Sequence, residues 1–151
     1  MKEEYLQSVQ SLDDIINTMY NTISGPAGKK IDWELFKLLF HKEAKLIPSG
    51  KNNDGAISCR YLSPLEYITS AGQWLEENSF YEKEISRITE TFGTLTHVFS
   101  TYESRKEVDD TTPFMRGINS LQLLYDQSRW WILNIYWTNE SDQNPLPSKY
   151  L

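Results

Sequence analysis

The segment "RWWILNIYW", residues 129–137, constrains this fold more than any other stretch of the chain. Its aromatic and β-branched residues favour a strand, and it is far shorter than the roughly 20 apolar residues that cross a bilayer. Successive side chains of a strand point to opposite faces. Because apolar side chains stand at nearly every position, both faces of this strand must be covered. The sequence therefore predicts a sheet that is packed on one side and buried in some other way on its second side.

The length and composition predict one globular domain. The chain has 151 residues, of which 39% are hydrophobic and 24% charged, so one hydrophobic core suffices. We expect a single domain over residues 1–151, with residues 139–151 as an extended, proline-containing tail.

The net charge indicates which classes of partner to expect, and the N-terminal sequence indicates where in the cell to expect the protein. The formal net charge is -6, which argues against nucleic acid or anionic lipid, since both require a basic surface. The N-terminal "MKEEYLQSVQ" lacks the apolar region of a signal peptide. One cysteine allows no internal disulfide. We expect a cytoplasmic protein with no membrane or nucleic-acid partner.

Three helices are predicted from start signals and from apolar side chains at helical spacing. "SLDDIINTMYNTISGP" begins at Ser11 as N-cap, and "DWELFKLLF" begins at Asp32. "SPLEYITSAGQWLEEN" has the strongest signal, because Ser63 and Glu66 have the spacing of a capping box and proline follows the cap.

The remaining periodic segments alternate as strands do. "EAKLI" and "AISCRYL" flank an Asn53-Asp54-Gly55 turn and predict a short hairpin. Four long strands follow, in "FYEKEISRITETF", "LTHVFSTYESR", "FMRGINSLQLLYD" and "RWWILNIYW". This order predicts an α+β fold, with three N-terminal helices packed on the concave side of a curved, mostly antiparallel sheet.

Two segments carry a resemblance to a known superfamily. "DWELFKLLFHKEAKLI" resembles the second helix and first strand of NTF2-like proteins, also called SnoaL-like or cystatin-like α+β cones. "GINSLQLLYDQSRWWILNIYW" resembles their closing hairpin, with Trp130 and Ile132 as its Trp-x-Ile. The resemblance covers nearly the whole chain and implies the cone fold. The superfamily includes isomerases, dehydratases, transport factors and members without known activity, so the fold does not fix the function.

The resemblance also implies which face of the last strand looks into the cone. A two-residue turn at Gln127-Ser128 pairs Tyr125 with Trp130, and strict alternation then divides the strand into two faces. The inner face would contain Trp130, Ile132, Asn134 and Tyr136, and Asn119 on the preceding strand would face Tyr136. The outer face would contain Trp131, Leu133, Ile135 and Trp137. A slip of one residue would exchange the two sets.

The inner face predicts an apolar, aromatic-lined pocket for a small organic ligand, with no cofactor. Buried amides need partners from the protein, from water or from a ligand. The alternative is that neighbouring side chains satisfy both asparagines and nothing binds. The predicted ligand-binding residues are Tyr20, Trp74, His97, Asn119, Asn134 and Tyr136.

Catalytic residues of the enzymes in the superfamily are mostly missing. Isomerases of this family imply a carboxylate base after the first strand, where this chain has Pro48 and Ser49, and an acidic donor near Leu121. Tyr20 is the plausible match for their tyrosine. His97, in mid-strand, is the candidate general base of a dehydratase-type or isomerase-type enzyme, and a purely structural histidine is the alternative. The histidines and the cysteine lack ligand spacing, so no metal site is predicted.

The outer face predicts a homodimer. Apolar side chains on this face would form a larger patch than monomers usually expose, and sheet-on-sheet packing of two subunits would cover it. The alternative is a C-terminal tail that folds back over part of the face. A third interpretation of the whole chain is a non-catalytic protein-interaction module whose pocket is filled by its own side chains. The predicted interface residues are Ile118, Trp131, Leu133, Ile135 and Trp137.

Overall fold

A computed structural model describes the whole chain, residues 1–151. Its α-helices are α1 (Glu3–Leu6), α2 (Leu12–Thr22), α3 (Trp33–Leu39) and α4 (Pro64–Glu77). Its strands are β1 (Phe40–Lys51), β2 (Ile57–Cys59), β3 (Tyr81–Phe92), β4 (Leu95–Arg105), β5 (Met115–Tyr125) and β6 (Trp130–Asn139). Single 3-10 turns lie at Gln7–Val9 and Ser148–Tyr150.

The six strands form one curved sheet that does not close into a barrel, in the order β2-β1-β6-β5-β4-β3. All neighbouring pairs are antiparallel except β1 and β6, which run parallel. The predicted α+β class is confirmed. The structure adds the short helix α1 to the three predicted helices. Tyr5 of α1 is buried, and its hydroxyl donates a hydrogen bond to Asp32, the N-cap of α3, at 2.6 Å.

The predicted helix starts are confirmed by their hydrogen bonds. Ser63 Oγ accepts from the Glu66 amide at 3.1 Å, and the Glu66 carboxylate accepts from the Ser63 amide at 3.3 Å. Ser11 Oγ accepts from the amide of Asp14, and Asp32 Oδ1 accepts from that of Leu35, both at 3.0 Å. No helix in the structure is long and apolar enough to span a bilayer.

The hydrophobic core lies between the helices and the concave face of the sheet. Helices α2 and α3 contribute Ile15 and Leu39, and the three central strands contribute Val98, Leu121 and Ile132, all fully buried. Burial of such side chains contributes about 1.5–3 kcal/mol each to stability. The concave face of β4 continues with Ser100, Tyr102 and Ser104, all of them buried.

The hairpin between β5 and β6 begins as predicted and then changes register. Tyr125 pairs with Trp130 and Leu123 with Ile132, as a two-residue turn requires. The next pair is Gln122 with Asn134, so Leu133 is the extra residue of a β-bulge. A bulge places two residues opposite one and reverses the alternation beyond it.

The bulge makes the predicted facing wrong from Asn134 onwards. Ile135 now pairs with Leu121 and is only 5% exposed, and Trp137 pairs with Asn119 on the concave face. Tyr136 pairs with Ser120 on the outer face and is 48% exposed. The inner face of β6 is therefore apolar from Trp130 to Trp137.

Candidate functional site

A cavity of about 150 Å³ lies at the open end of the cone, between the helices and the concave face of the sheet. Helices α2, α3 and α4 and all the long strands contribute to its lining. Most of its walls are apolar or aromatic, including Phe36, Phe80, Ile135 and Trp137. Its polar groups belong to Glu82, Asn119 and the tyrosines Tyr20, Tyr67 and Tyr102.

Glu82 is the only charged residue that lines the cavity. It lies near the start of β3, opposite Ser104 on β4. Burial raises the pKa of its carboxyl group to about 7, because less water solvates the anion. The nearby hydroxyl of Ser104 is the only group that lowers the pKa of Glu82. That buried hydroxyl makes no hydrogen bond of normal geometry. Glu82 is thus an acid without a basic partner, titrating near neutral pH.

The negative charge of Glu82 affects the pKa values of the three tyrosines that line the same cavity. Burial is the main cause that raises the pKa values of Tyr20, Tyr67 and Tyr102, and the nearby Glu82 carboxylate raises all three further. The phenols therefore stay protonated at physiological pH. The cavity presents neutral aromatic rings around one ionisable acid.

Tyr20 connects the cavity to a buried hydrogen-bond network. Ser100 Oγ donates to the Glu84 carboxylate at 2.5 Å, so the Tyr20 hydroxyl donates to Ser100 Oγ, at 2.7 Å. Asn119 Nδ2 donates to the same Tyr20 oxygen at 2.9 Å. This bond leaves the carboxamide oxygen of Asn119 unused.

The network ends at a charged cluster on the surface. Arg87 Nε donates to Glu84 at 3.0 Å, and Arg87 also pairs with the exposed Asp13 of α2 at 2.5 Å. The charge of Glu84 is therefore matched by Arg87. This separates Glu84 from Glu82, two residues away on the same strand, which has no such partner.

Tyr67 and Tyr102 are placed by packing rather than by the same network. Tyr67 stacks on Phe36 with ring centroids 5.5 Å apart and meets the Trp137 ring edge to face at 6.2 Å. The Tyr102 hydroxyl donates to the side chain of Asn139. Tyr102 lies across Gly117, where an added Cβ would be 2.3 Å from the phenol oxygen. Gly117 is thus required for the Tyr102 ring to reach the cavity.

The structure brings two of the predicted ligand-binding residues to the cavity. Tyr20 and Asn119 both line it, although ligand binding by them stays a prediction. Asn134 and Tyr136 lie on the outer face because of the bulge. Trp74 is 51% exposed and supports the cavity only indirectly, through an edge contact with the lining residue Phe80.

His97 also lies on the outer face of the sheet. Its Nε2 is 3.0 Å from Ser120 Oγ, its Nδ1 is 3.9 Å from the exposed Glu90, and its ring neighbours Phe99. The sheet separates the imidazole from the cavity. His97 is therefore not placed to act as a base on a molecule held inside the cone.

Sequence reasoning missed Glu82, Tyr67 and Tyr102. Glu82 stands in "YEKEISR", where alternating charges are typical of a solvent-exposed strand face. A bulge in β3 between Glu84 and Ser86 further obscures the alternation. The feature that would have indicated Glu82 is its pairing with Ser104 on β4. This pairing exists only in the assembled sheet, so the sequence alone does not show it.

No protein-family model and no curated protein matches the chain. Solved structures do. A cystatin-like protein of unknown function from Nostoc punctiforme superposes with a TM-score of 0.63 at 10% identity, covering 88% of this chain and 96% of the other. An NTF2-like protein from Cytophaga hutchinsonii gives 0.57 at 11% identity, covering 83% and 89%.

Another similar structure is named for its association with a partner. The yeast Ubp3-associated protein Bre5 gives a TM-score of 0.60 at 13% identity, covering 87% of this chain and 98% of that one. Identities this low establish a shared fold and no shared activity. The predicted fold is confirmed: this chain has the NTF2-like, or cystatin-like, α+β cone.

Proposed function

We propose that this protein binds a small, largely apolar organic molecule in the cavity at the open end of the cone. The observation that carries the proposal is Glu82, an acid without a basic partner in a cavity of about 150 Å³ with aromatic walls. An apolar cavity of about this volume holds a molecule the size of benzene. The ligand is thus the size of one substituted ring.

The polar groups in the cavity support a ligand rather than simple packing. An unpaired carboxylate destabilises an apolar interior, and titratable groups with shifted pKa values concentrate at functional sites. The hydroxyl of Tyr67 has no hydrogen-bond partner affecting its pKa, and Asn119 retains an unused carbonyl oxygen. These groups provide donors and acceptors for a bound molecule.

Titration with a neutral aromatic probe tests the proposal. We expect benzyl alcohol to shift the amide and methyl NMR signals of residues lining the cavity, with saturation. Ile135→Phe fills the cavity from β6 and should abolish the shifts. Leu133→Phe adds the same ring two residues away on the outer face and should leave them unchanged. Absence of saturable shifts with small neutral and charged aromatic probes alike would contradict the proposal.

A proton-transfer enzyme is the second candidate function, and Glu82 is the observation that favours it. A general acid or base works best with a pKa near the operating pH, which the value of about 7 provides. The hydrogen-bonded Tyr20 and Asn119 side chains line the same cavity. Deuterium exchange at the α-carbon of cyclopentanone, followed by NMR, would reveal such activity. Loss of catalysed exchange in Glu82→Gln is expected, and no exchange above the buffer rate would exclude this reaction for that substrate class.

The proposal includes a homodimer formed through the outer face of the sheet. Trp131 and Leu133 lie on that face before or at the bulge, and Ile118 lies there on β5. Leu133 is 37% exposed. Ile135 and Trp137 line the cavity and are excluded from this interface. Tyr136 takes their place among the exposed aromatic side chains of β6.

The C-terminal tail limits the area available to a partner. The ring of Tyr150 packs against Phe99 on the outer face, with centroids 5.2 Å apart. The Leu146 amide donates to Glu140 at 2.8 Å, and Glu140 also accepts two hydrogen bonds from Arg116. The tail therefore lies beside Ile118 and Tyr136 on this face, and a partner subunit would cover the part that the tail leaves open.

A further inference from the structure

The acceptors in the cavity outnumber its free donors. Glu82 offers carboxylate oxygens, and Asn119 offers a carbonyl oxygen that its bond to Tyr20 leaves unused. The Tyr20 hydroxyl already donates towards Ser100 and the Tyr102 hydroxyl to Asn139, so the Tyr67 hydroxyl is the one free tyrosine donor. No lysine, arginine or histidine lines the cavity. The set therefore suits a ligand that brings donors and positive charge.

Basic side chains near Glu82 in the sequence are engaged elsewhere. Lys83 points to the outer face, where its Nζ is 3.4 Å from the Glu103 carboxylate. Arg87 is held by Glu84 and Asp13. Neither can turn inwards to neutralise Glu82 without giving up its own partner. A counter-charge for the ionised form of Glu82 would therefore come from outside the chain.

The walls of the cavity also favour a cation. Tyr20, Tyr67, Tyr102 and Trp137 surround the same space as Glu82. Aromatic faces attract ammonium groups, most strongly where the cation is desolvated. An anionic ligand would meet both the negative charge of Glu82 and the negative faces of these rings.

We propose that the molecule bound in the cavity is a small organic cation, a protonated amine whose ammonium group pairs with Glu82. The body of the amine would occupy the apolar part beside Phe36, Phe80 and Ile135. An ammonium group carries up to three donors, and these find acceptors in Glu82 and Asn119. This inference rests on the proposed function, because it names the ligand class of the same cavity.

Binding of such a cation is coupled to the ionisation of Glu82. The groups that face Glu82 are Tyr20 of α2, Tyr67 of α4 and Tyr102 of β4, all of which keep their protons because burial raises their pKa values. Glu84, the next inward residue of β3, is already paired with Arg87. Glu82 therefore dominates the titration of the cavity. Affinity for a cation should rise between about pH 6 and about pH 8, as Glu82 loses its proton.

Three probes of similar size and different charge test the inference by calorimetry on the whole protein. They are benzylamine, benzyl alcohol and benzoate. At about pH 8 we expect benzylammonium to bind at least about tenfold more tightly than benzyl alcohol, corresponding to about 1.4 kcal/mol. Benzoate should bind more weakly than either. The preference for the cation should shrink at about pH 6, where Glu82 is protonated.

Two variants assign the preference to one carboxylate. Glu82→Gln keeps the shape of the side chain and should bring benzylammonium and benzyl alcohol to similar affinities. Glu90→Gln makes the same change at an exposed position of β3 and should keep the preference. Circular dichroism would confirm that both fold, and the pH series on the unmodified protein needs no variant.

The outcomes separate this inference from the proposed function. Equal binding of benzyl alcohol and benzylammonium, or a preference that survives in Glu82→Gln, would overturn the cation while leaving a ligand site. Failure of all three probes to bind would overturn both. Selective cation binding that requires Glu82 and rises with pH would support both.

Discussion

At the scale of the residue, the ionised form of Glu82 that would bind a cation is also the form that destabilises the folded chain. Its folded-state pKa of about 7 lies above the ordinary value of 4.5. The unfolded chain therefore releases this proton at lower pH than the folded chain, and stability falls as the pH rises through that interval. The loss amounts to at most about 3–4 kcal/mol, since one pKa unit corresponds to about 1.4 kcal/mol.

Glu82→Gln removes this dependence. We expect the variant to be as stable as the natural chain near pH 4 and more stable near pH 8, because the neutral amide has no charge to bury. Urea unfolding across about pH 4 to 8 measures the difference. A variant with an unchanged pH profile would show that Glu82 titrates as an exposed acid does.

Tyr20 supports the cavity through two hydrogen bonds at its hydroxyl. Tyr20→Phe would leave Ser100 and Asn119 with unmatched polar groups in the interior. We expect a loss of about 1–3 kcal/mol in the free energy of unfolding, measured in urea. Tyr136→Phe removes a hydroxyl from the half-exposed outer face and should change stability by less than about 0.5 kcal/mol. Similar values for the two variants would contradict the buried network.

At the scale of the strand, the bulge at Leu133 decides which residues of the second half of β6 face the cavity. Ile135→Ala should cost about 2–5 kcal/mol, because it deletes buried methyl groups next to an existing cavity. Asn134→Ala should cost less than about 0.5 kcal/mol, because Asn134 lies on the outer face. Strict alternation would instead bury Asn134. Equal costs, or a larger cost at Asn134, would contradict the bulge.

Elements with local signals could be predicted from the sequence, whereas the bulge could not. The caps at Ser11, Asp32 and Ser63 are local features, and so is the turn at Gln127-Ser128. Each satisfies its own backbone hydrogen bonds within a few residues. Apolar side chains stand at most positions of β6 on either side of Leu133, so polarity alone does not show where the alternation reverses.

The candidate site was predicted only in part for the same reason. Tyr20 is on the apolar stripe of a clearly amphipathic helix, and Asn119 lies on β5, whose own alternation is intact because the extra residue of the bulge is on β6. Their positions follow from local periodicity. Glu82 becomes partly buried where the loop after α2 pairs with Phe80 and α2 packs against β3. Contacts between segments so distant in the chain are not encoded in local patterns.

At the scale of the whole molecule, the exposed side chains of Leu133 and Tyr136 on the outer face predict a dimer. Light scattering after size-exclusion chromatography should give twice the mass of the 17.7 kDa chain at micromolar concentration. Leu133→Glu places a charge on that face and should yield a monomer. Ser70→Glu adds the same charge on α4, away from the sheet, and should remain dimeric. A natural chain that is monomeric under these conditions would contradict the interface.

The cavity, its uncompensated acid and its aromatic walls together define the ligand site proposed for this fold. A crystal structure of the protein grown with saturating benzylamine would locate the probe. We predict density for the ring in the cavity beside Phe36 and Ile135, with the amine nitrogen at about 3 Å from the Glu82 carboxylate. A cavity without the probe, or one closed by the side chains of Tyr67 and Trp137, would contradict a ligand site inside the cone.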